Sequence, residues 1–266
     1  ESVFVWLCFF VWVLCGFGRS VGYANANRRL QRWWCAALVE LGTRVFRVRL
    51  EVSGTEALVG ANAIVVPRHT SLADTVLPTV LYSIPQRRHL RHILKRELLL
   101  VPCLDIVGNR LPNYFVDRFS DTPSREIGGI GGMLVDLEPD EGVLIYPEGT
   151  RFSAAKRERI LAGLTPERRN RAEAWCDLLP PRLGGIGTLL AQNPGLDLLF
   201  CAHVGLERSA DVSSLLRGGL VGSVVRVHFW RVRFADIPSE NHGAFVDDCW
   251  DVMQGVVSRL RQESGQ

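Results

Sequence analysis

The chain has 266 residues, a length that suits one large domain or one domain with an appendage. Hydrophobic residues make up 47% of it, a high share for a soluble protein, and the excess lies largely at the N-terminus. The net charge of +3 is too small to indicate nucleic-acid binding. The 7 cysteines are scattered and form no Cys-x-x-Cys pair, so the sequence predicts neither disulfides nor a metal site.

The first segment is an uncharged apolar run from Ser2 to Gly18. As a helix it would span roughly 25 Å, slightly less than the hydrocarbon core of a bilayer. A tilted membrane span and a half-inserted helix therefore both remain open. Basic residues follow the run and none precedes it, so the positive-inside rule places the remaining chain on the cytoplasmic side. These basic residues are Arg19, Arg28, Arg29 and Arg32.

The next segment has helical periodicity, because apolar residues recur along it at a spacing of three and four. They are Leu30, Trp33, Trp34, Ala37, Leu38 and Leu41. Such a face can pack on a core, but paired tryptophans among arginines also suit the headgroup layer of a membrane. Its position after the apolar run favours an interfacial helix. We therefore expect residues 1–44 to be membrane-anchoring helices and the protein to be membrane-associated.

The remaining chain, residues 45–266, alternates between strand and helix patterns. Strands are predicted in RVRLEVSG, AIVV, RHILKREL, NYFVDR, GVLIY, DLLFCAHVGL and GSVVRVHFWRVRF. Helices are predicted in SLADTVLPTVLYSI, LLLVPCLDIVGNRL, SREIGGIGGMLVDLE and the last segment, AFVDDCWDVMQGVVSRLRQ. This alternation predicts an α/β domain with a mainly parallel central sheet flanked by helices.

A histidine and an aspartate follow the buried strand AIVV in the stretch RHTSLAD. His69 lies where functional groups collect in α/β sheets, after the carboxyl end of a strand, and Asp74 can reach it across a turn. The pair would act as a general base with an orienting carboxylate. A second copy of this spacing, His242 and Asp247, opens the last helix, where we expect a cap and a helix-surface charge instead. No serine nucleophile is evident, so the base would activate a hydroxyl of the substrate.

Two further clusters contain arginines suited to binding phosphate. The first is YFVDR, which ends in Arg118, and the second is YPEGTR, in which Glu148 and Arg151 flank a turn after a strand. Alone, the second cluster would suggest only an ion pair on the surface.

Together and in this order, RHTSLAD, FVDR and YPEGTR closely resemble the 1-acyl-sn-glycerol-3-phosphate (lysophosphatidic acid) acyltransferase family. The resemblance covers roughly residues 45–210. ILKREL is similar to the lysine-containing segment between the first two motifs of that family, and LLPPRLGG is similar to its last motif.

The resemblance implies transfer of an acyl group from an acyl-CoA or an acyl carrier protein to a lysophospholipid hydroxyl, without a cofactor or metal. It also implies membrane attachment. His69 would be the general base and Asp74 its partner. The substrate-binding residues would be Arg118, Glu148, Gly149, Thr150, Arg151 and Pro181, the last on the acyl-donor side. Lysophosphatidate is the expected acceptor.

The sequence departs from the family pattern at three places. Pro112 replaces a glycine, Tyr146 replaces a common phenylalanine, and about twenty-five residues separate EGTR from LLPPR. The long insert leaves open an enzyme that remodels another lysophospholipid. A membrane-associated lipid or thioester hydrolase and a non-catalytic lipid-binding protein also remain open, although phosphate-binding arginines argue against hydrolysis.

Overall fold

The structure is a computed structural model that describes residues 2–20, 22–117 and 120–264. Its helices in chain order are α1 Ser2–Leu14, α2 Tyr23–Val45, α3 Pro102–Gly108, α4 Pro123–Gly131, α5 Ala154–Ala162, α6 Pro166–Ala172, α7 Leu183–Ala191, α8 Val212–Leu216 and α9 His242–Glu263. Its strands are β1 Arg49–Ser53, β2 Ala63–Pro67, β3 His89–Lys95, β4 Tyr114–Val116, β5 Glu141–Leu144, β6 Asp197–Val204 and β7 Val224–Val232.

The strands form one sheet in the order β1-β7-β6-β2-β5-β3-β4. Every pair of neighbours is parallel except β6 and β7, which are antiparallel. The predicted α/β fold with a mainly parallel sheet flanked by helices is therefore confirmed. Because β2, β5 and β6 are parallel to one another, the loops after their carboxyl ends meet at one edge.

Both faces of the central strands are buried. In β2, Ile64 and Val66 face one apolar core with α4, α7 and α9, while Ala63 and Val65 face the second core. This alternation follows from the two-residue period of a strand. A strand covered on both sides has no polar face, which explains the unbroken apolar run AIVV.

The segment after His69 is less regular than predicted. SLADTVLPTVLYSI forms a 3-10 turn over Ala73–Val76 and a π-helical turn over Thr79–Ser83 instead of an α-helix. Pro78 lies between the two turns and has no backbone N–H for an α-helical hydrogen bond. The predicted strand NYFVDR is also shorter, since β4 ends at Val116.

The N-terminal helices pack against each other and against α3. Phe4 and Cys8 of α1 are buried in a small apolar cluster with Val107 and Leu111, and Leu30 and Trp34 of α2 pack against it. The apolar face predicted for α2 is thus divided, because Trp33, Leu38 and Leu41 remain exposed. In the described ranges, no helix has the length and apolar character needed to cross a membrane.

A buried carboxylate attaches α2 to the sheet. Glu141, at the start of β5, is only 1% exposed and contacts the Arg28 guanidinium of α2. Its other oxygen accepts hydrogen bonds from Nε and Nη2 of Arg91, at 2.8 and 2.5 Å. Arg32 adds a hydrogen bond to the carbonyl of Ile84, at 2.9 Å. Two of the arginines that follow the apolar run therefore bind the body of the protein.

Replacing Glu141 should destabilise the fold. Glu141→Gln leaves two guanidinium groups without their buried counter-charge, so the free energy of unfolding should fall by about 3 kcal/mol or more. Urea unfolding followed by circular dichroism measures this change. Glu51→Gln is the matched control, because Glu51 pairs with Arg226 but is about half exposed, and it should cost less than about 1 kcal/mol. Equal costs for the two variants would contradict this assignment.

Candidate active site

His69 lies on the loop that follows β2, where it is held by its backbone as well as by its ring. Its backbone N–H donates to Oε1 of Glu148 at 2.7 Å, and its carbonyl accepts a hydrogen bond from the backbone N–H of Phe152 at 2.8 Å. Its ring nitrogen Nδ1 lies 2.9 Å from Oδ1 of Asp74. The structure therefore brings together the histidine and aspartate of the first motif.

Asp74 is almost completely buried, and every contact of its carboxylate is with a donor. Oδ2 accepts hydrogen bonds from the backbone N–H groups of Thr70 and Ser71, at 2.6 and 2.7 Å. His203 lies on the same side, with Nε2 3.5 Å from Oδ2. Burial alone would raise the pKa of Asp74, but the hydrogen bonds from His203 and His69 outweigh it and hold the pKa below its usual value. Asp74 is therefore ionised at neutral pH.

An ionised Asp74 determines which nitrogen of His69 can act as a base. The carboxylate accepts the proton on Nδ1, which leaves Nε2 to accept a proton from a substrate. The ring is also held by Tyr146, whose ring centroid lies 4.5 Å from that of His69. The Tyr146 hydroxyl is 3.5 Å from the carbonyl of Asp74, and burial raises its pKa well above the usual value. Tyr146 thus supports the imidazole as a neutral phenol.

Glu148 has a different position from the one predicted for a phosphate-binding residue. It is fully buried, and its two oxygens accept hydrogen bonds from the backbone N–H groups of His69 and Leu179, the second at 3.0 Å. Burial raises its pKa to about 8, although these two donors act in the opposite direction. The side chain connects three loops and does not line the adjacent cavity. Direct contact between Glu148 and a substrate phosphate is therefore incompatible with this geometry.

The rest of the third motif turns outward after Glu148. Gly149 has a φ of +70°, in the left-handed region that favours glycine, and its N–H donates to the carbonyl of Tyr146 at 2.8 Å. Thr150 accepts a hydrogen bond from Nζ of Lys156 at 3.3 Å. Arg151 is half-buried, donates to the carbonyl of Ala210 through Nη1, and lines the cavity beside His69.

Pro181 is buried and lies behind the cavity instead of on its wall. Its carbonyl accepts a hydrogen bond from Arg168 at 2.8 Å. The next residue, Arg182, is exposed, lines the cavity and donates its backbone N–H to the carbonyl of Pro147 at 2.9 Å. Pro181 therefore influences the site through its neighbour. Arg118, the remaining predicted residue, lies outside the described residues.

The cavity beside His69 has a volume of about 390 Å³ and is lined by both polar and apolar residues. The polar and charged lining residues include His69, Lys95, Asp117, Glu126, Tyr146, Arg151 and Arg182. The apolar walls contain Leu72, Ile93, Leu94, Leu98, Val116, Ile127, Ile130 and Ile145. The cavity thus suits a molecule with an anionic group and a hydrocarbon portion.

The second His-Asp copy does not form a pair. Nε2 of His242 lies 3.1 Å from the carbonyl of Pro238, and Asp247 accepts hydrogen bonds from Arg168 at 2.9 and 3.0 Å. Asp247 is only 7% exposed, so the prediction that it lies on the surface of the helix was wrong. The periodicity of α9 could have indicated this, since Val246 and Trp250 on either side of it are core residues.

Three polar residues that line the cavity have no role predicted from the sequence. Lys95 and Arg182 lie inside motif stretches, and Tyr146 is a departure from the family pattern. His203, beside Asp74, carried no sequence signal, because a lone histidine in an apolar strand is typical of an ordinary core position. Within residues 2–20, 22–117 and 120–264, no cluster of three or more potential ligands could hold a metal.

Comparison with known proteins agrees with the motif resemblance. A protein-family profile described as Acyltransferase matches residues 49–178. A 1-acyl-sn-glycerol-3-phosphate acyltransferase of Pseudomonas aeruginosa is 26% identical over 205 residues, an alignment that covers 76% of this chain. The chain spans 66% of the length of that relative.

The fold is shared with a solved structure. The crystal structure of PlsC, a 1-acyl-sn-glycerophosphate (LPA) acyltransferase from Thermotoga maritima, superposes with a TM-score of 0.57 at 16% identity. The match covers 98% of this chain and 96% of that chain, so the likeness includes the N-terminal helices as well as the sheet. Residues 49–178, just under half of the chain, match the Acyltransferase profile, so the chain is similar in sequence and in fold to these acyltransferases.

Proposed function

We propose that this protein is an O-acyltransferase that moves a fatty acyl group from an acyl thioester to the free hydroxyl of lysophosphatidate, giving phosphatidic acid. One observation carries the proposal: His69, paired with Asp74, lines a cavity whose lining also includes cationic side chains and many apolar ones. A base, an anion-binding group and a hydrocarbon-binding surface are the three features that this reaction needs. The names of the relatives support the same acceptor.

The proposed step is a direct transfer. Nε2 of His69 removes the proton from the acceptor hydroxyl while its oxygen attacks the thioester carbonyl carbon. The tetrahedral intermediate collapses as the C–S bond breaks, and the imidazolium returns the proton to the thiolate that leaves. Asp74 stabilises the imidazolium in between. Ser71, the serine within the motif, donates its hydroxyl to the carbonyl of Ser209 at 2.5 Å and is buried, which argues against a covalent acyl-enzyme.

The acceptor phosphate would be bound by cationic side chains that line the cavity. Arg151 is beside the base because the next residue, Phe152, is hydrogen-bonded to the His69 carbonyl. Lys95 ends β3 on the same cavity, and Arg118 is proposed for this role from its motif alone. Gly149 and Thr150 shape the turn that presents Arg151, and Pro181 precedes Arg182, which lines the same cavity.

We also propose that residues 1–44 attach the protein to the membrane, with the active site on the cytoplasmic face. The outer side of α1 exposes Trp6, Phe9, Phe10 and Leu14, between 46% and 83% of each side chain. A continuous exposed aromatic surface of this kind is typical of a membrane-binding surface. The basic residues after the apolar run support the cytoplasmic placement.

The acceptor and donor are tested by measuring thiol release. Wild-type protein should release thiol rapidly only when lysophosphatidate is present, and more slowly with lysophosphatidylcholine, because the cavity offers cations for an unblocked phosphate. Both acyl-CoA and acyl carrier protein should be supplied, since either thioester fits the proposal. Equal thiol release with and without an acceptor would instead establish a hydrolase.

Replacing the base should abolish the reaction. His69→Ala removes the group that takes the proton and should lower kcat by about 10³-fold or more. Asp74→Asn should also lower kcat, by about 10²-fold or more, because the amide no longer fixes the reactive tautomer. His242→Ala is the matched control and should leave kcat nearly unchanged. Loss of activity in the His242 variant would overturn the assignment of the base.

Removing the anion-binding arginine should mainly weaken acceptor binding. Arg151→Ala should raise the KM for lysophosphatidate by about tenfold or more, since a charge-assisted contact to phosphate is lost. The KM for the acyl donor should stay within about twofold. Arg159→Ala, on the exposed side of α5, is the control. A normal KM with a lower kcat would indicate a role in the transition state instead.

Charges on the outer side of α1 should weaken membrane binding without unfolding the protein. The double variant Phe10→Glu and Leu14→Glu places carboxylates on exposed positions, so stability should be retained while sedimentation with anionic vesicles falls severalfold. Val59→Glu is the control, because Val59 is 66% exposed but lies on the body of the protein. Unchanged sedimentation of the double variant would locate the membrane-binding surface elsewhere.

A further inference from the structure

A second histidine, His203, lies beneath the proposed catalytic pair. It is on β6, which runs parallel to β2 with Cys201 in register with Pro67. The segments after Cys201 and Pro67 continue side by side beyond this point, so His203 lies next to the loop that carries His69. Its side chain is about 1% exposed. It does not line the cavity, so it cannot contact a substrate there.

His203 is fixed by reciprocal contacts with Arg68. Its Nε2 lies 3.0 Å from the Arg68 carbonyl, and Arg68 donates from Nη1 to the His203 carbonyl at 2.5 Å. The same Nε2 lies 3.5 Å from Oδ2 of Asp74. Its single N–H therefore faces two oxygen acceptors, the carbonyl and the carboxylate, in a three-centre arrangement.

These contacts indicate which ring nitrogen of His203 is a donor. Nε2 must carry a proton, because both groups that it faces are acceptors only. Nδ1 is buried, and the described part of the chain offers it no hydrogen-bond partner. A proton on Nδ1 would be a buried, unsatisfied donor, which is unfavourable. Nε2 of His203 is thus a donor toward the Arg68 carbonyl and the Asp74 carboxylate.

We propose that His203 is a positioning residue for the acyl transfer: its Nε2–H draws Oδ2 of Asp74 to one side so that Oδ1 faces Nδ1 of His69. The carboxylate then has an imidazole on each oxygen, with the backbone donors of Thr70 and Ser71 beside Oδ2. This inference rests on the proposed function, because it assigns His203 a role in the same reaction. It goes beyond the family motifs, none of which includes β6.

A donor on Oδ2 also controls how basic His69 is. Each hydrogen bond that Asp74 accepts spreads its negative charge, so the field that favours the imidazolium of His69 is weaker. Loss of the donor would concentrate the charge on the carboxylate and strengthen its attraction for the imidazolium form of His69 in the variant. Among the described residues, the other titratable or charged groups around this cluster include Arg68, Tyr146, Glu148, Cys201 and Glu207, the last in contact with Arg261. Arg151 lies beside His69 on the cavity side. They are the same in wild type and variant.

The test compares two substitutions of similar size. His203→Leu removes the donor, whereas the side-chain amide of His203→Gln can reach the position of Nε2 and restore it. In the Leu variant, the acidic limb of the kcat/KM profile should move up by about half a pH unit, and kcat should fall by about tenfold as Asp74 loses its orientation. The Gln variant should retain the wild-type profile. The KM for the acceptor should change little in both.

A second measurement is independent of turnover. NMR titration of the His69 imidazole, in protein with labelled histidines, should show a titration midpoint that moves upward in the Leu variant. The midpoint of the Gln variant should equal that of the wild type. An inactive wild type would refute the proposed function, whereas an active wild type with identical His69 titration in all three proteins would refute the role of His203. If the Leu variant does not fold, His203→Asn replaces it, since its shorter amide does not reach Asp74.

Discussion

The buried carboxyl groups of two acidic side chains fix the position of His69, and the other features of the site depend on them. Asp74 orients the imidazole through Oδ1, and Glu148 accepts the backbone N–H of the same residue. Burying a carboxylate is unfavourable unless its oxygens receive hydrogen bonds. Both side chains meet this requirement with donors from the loops around them. The loop after β2 thus has one arrangement in which all these donors and acceptors are paired.

The same requirement explains how distant motifs come together. Glu148 follows β5, and its second oxygen accepts the N–H of Leu179 in the LLPPR segment. A single side chain therefore joins the loop after β2, the loop after β5 and the segment before α7. The glycine that follows, with its positive φ, reverses the chain so that Arg151 faces the cavity while Glu148 faces inward. One short motif thus supplies an internal support and a guanidinium that lines the cavity, on opposite sides of the chain.

The sequence predicted the features that depend on local pattern. The apolar run of β2, the alternation of strands and helices, and the proximity of His69 to Asp74 follow from short-range rules. The internal place of Glu148 could not be predicted, because its partners are 79 and 31 residues away along the chain. The ion pair of Asp247 with Arg168 was missed for the same reason. Likewise, His203 reaches Asp74 only because β6 lies beside β2 in the sheet, which the order of elements does not reveal.

The structure also shows how the abundant arginines are used, which the composition alone could not indicate. Many guanidinium groups satisfy backbone carbonyls: Arg157 donates to the carbonyls of Trp175, Ala172 and Glu173 in the segment between the third and last motifs. Arg168 similarly joins Asp247 to the carbonyl of Pro181. Arginines used in this way have few donors left for a ligand. Arg151 instead donates from one nitrogen to the carbonyl of Ala210, and a guanidinium has five N–H donors. Because its side chain lines the cavity, its remaining donors are the ones suited to hold a phosphate beside His69.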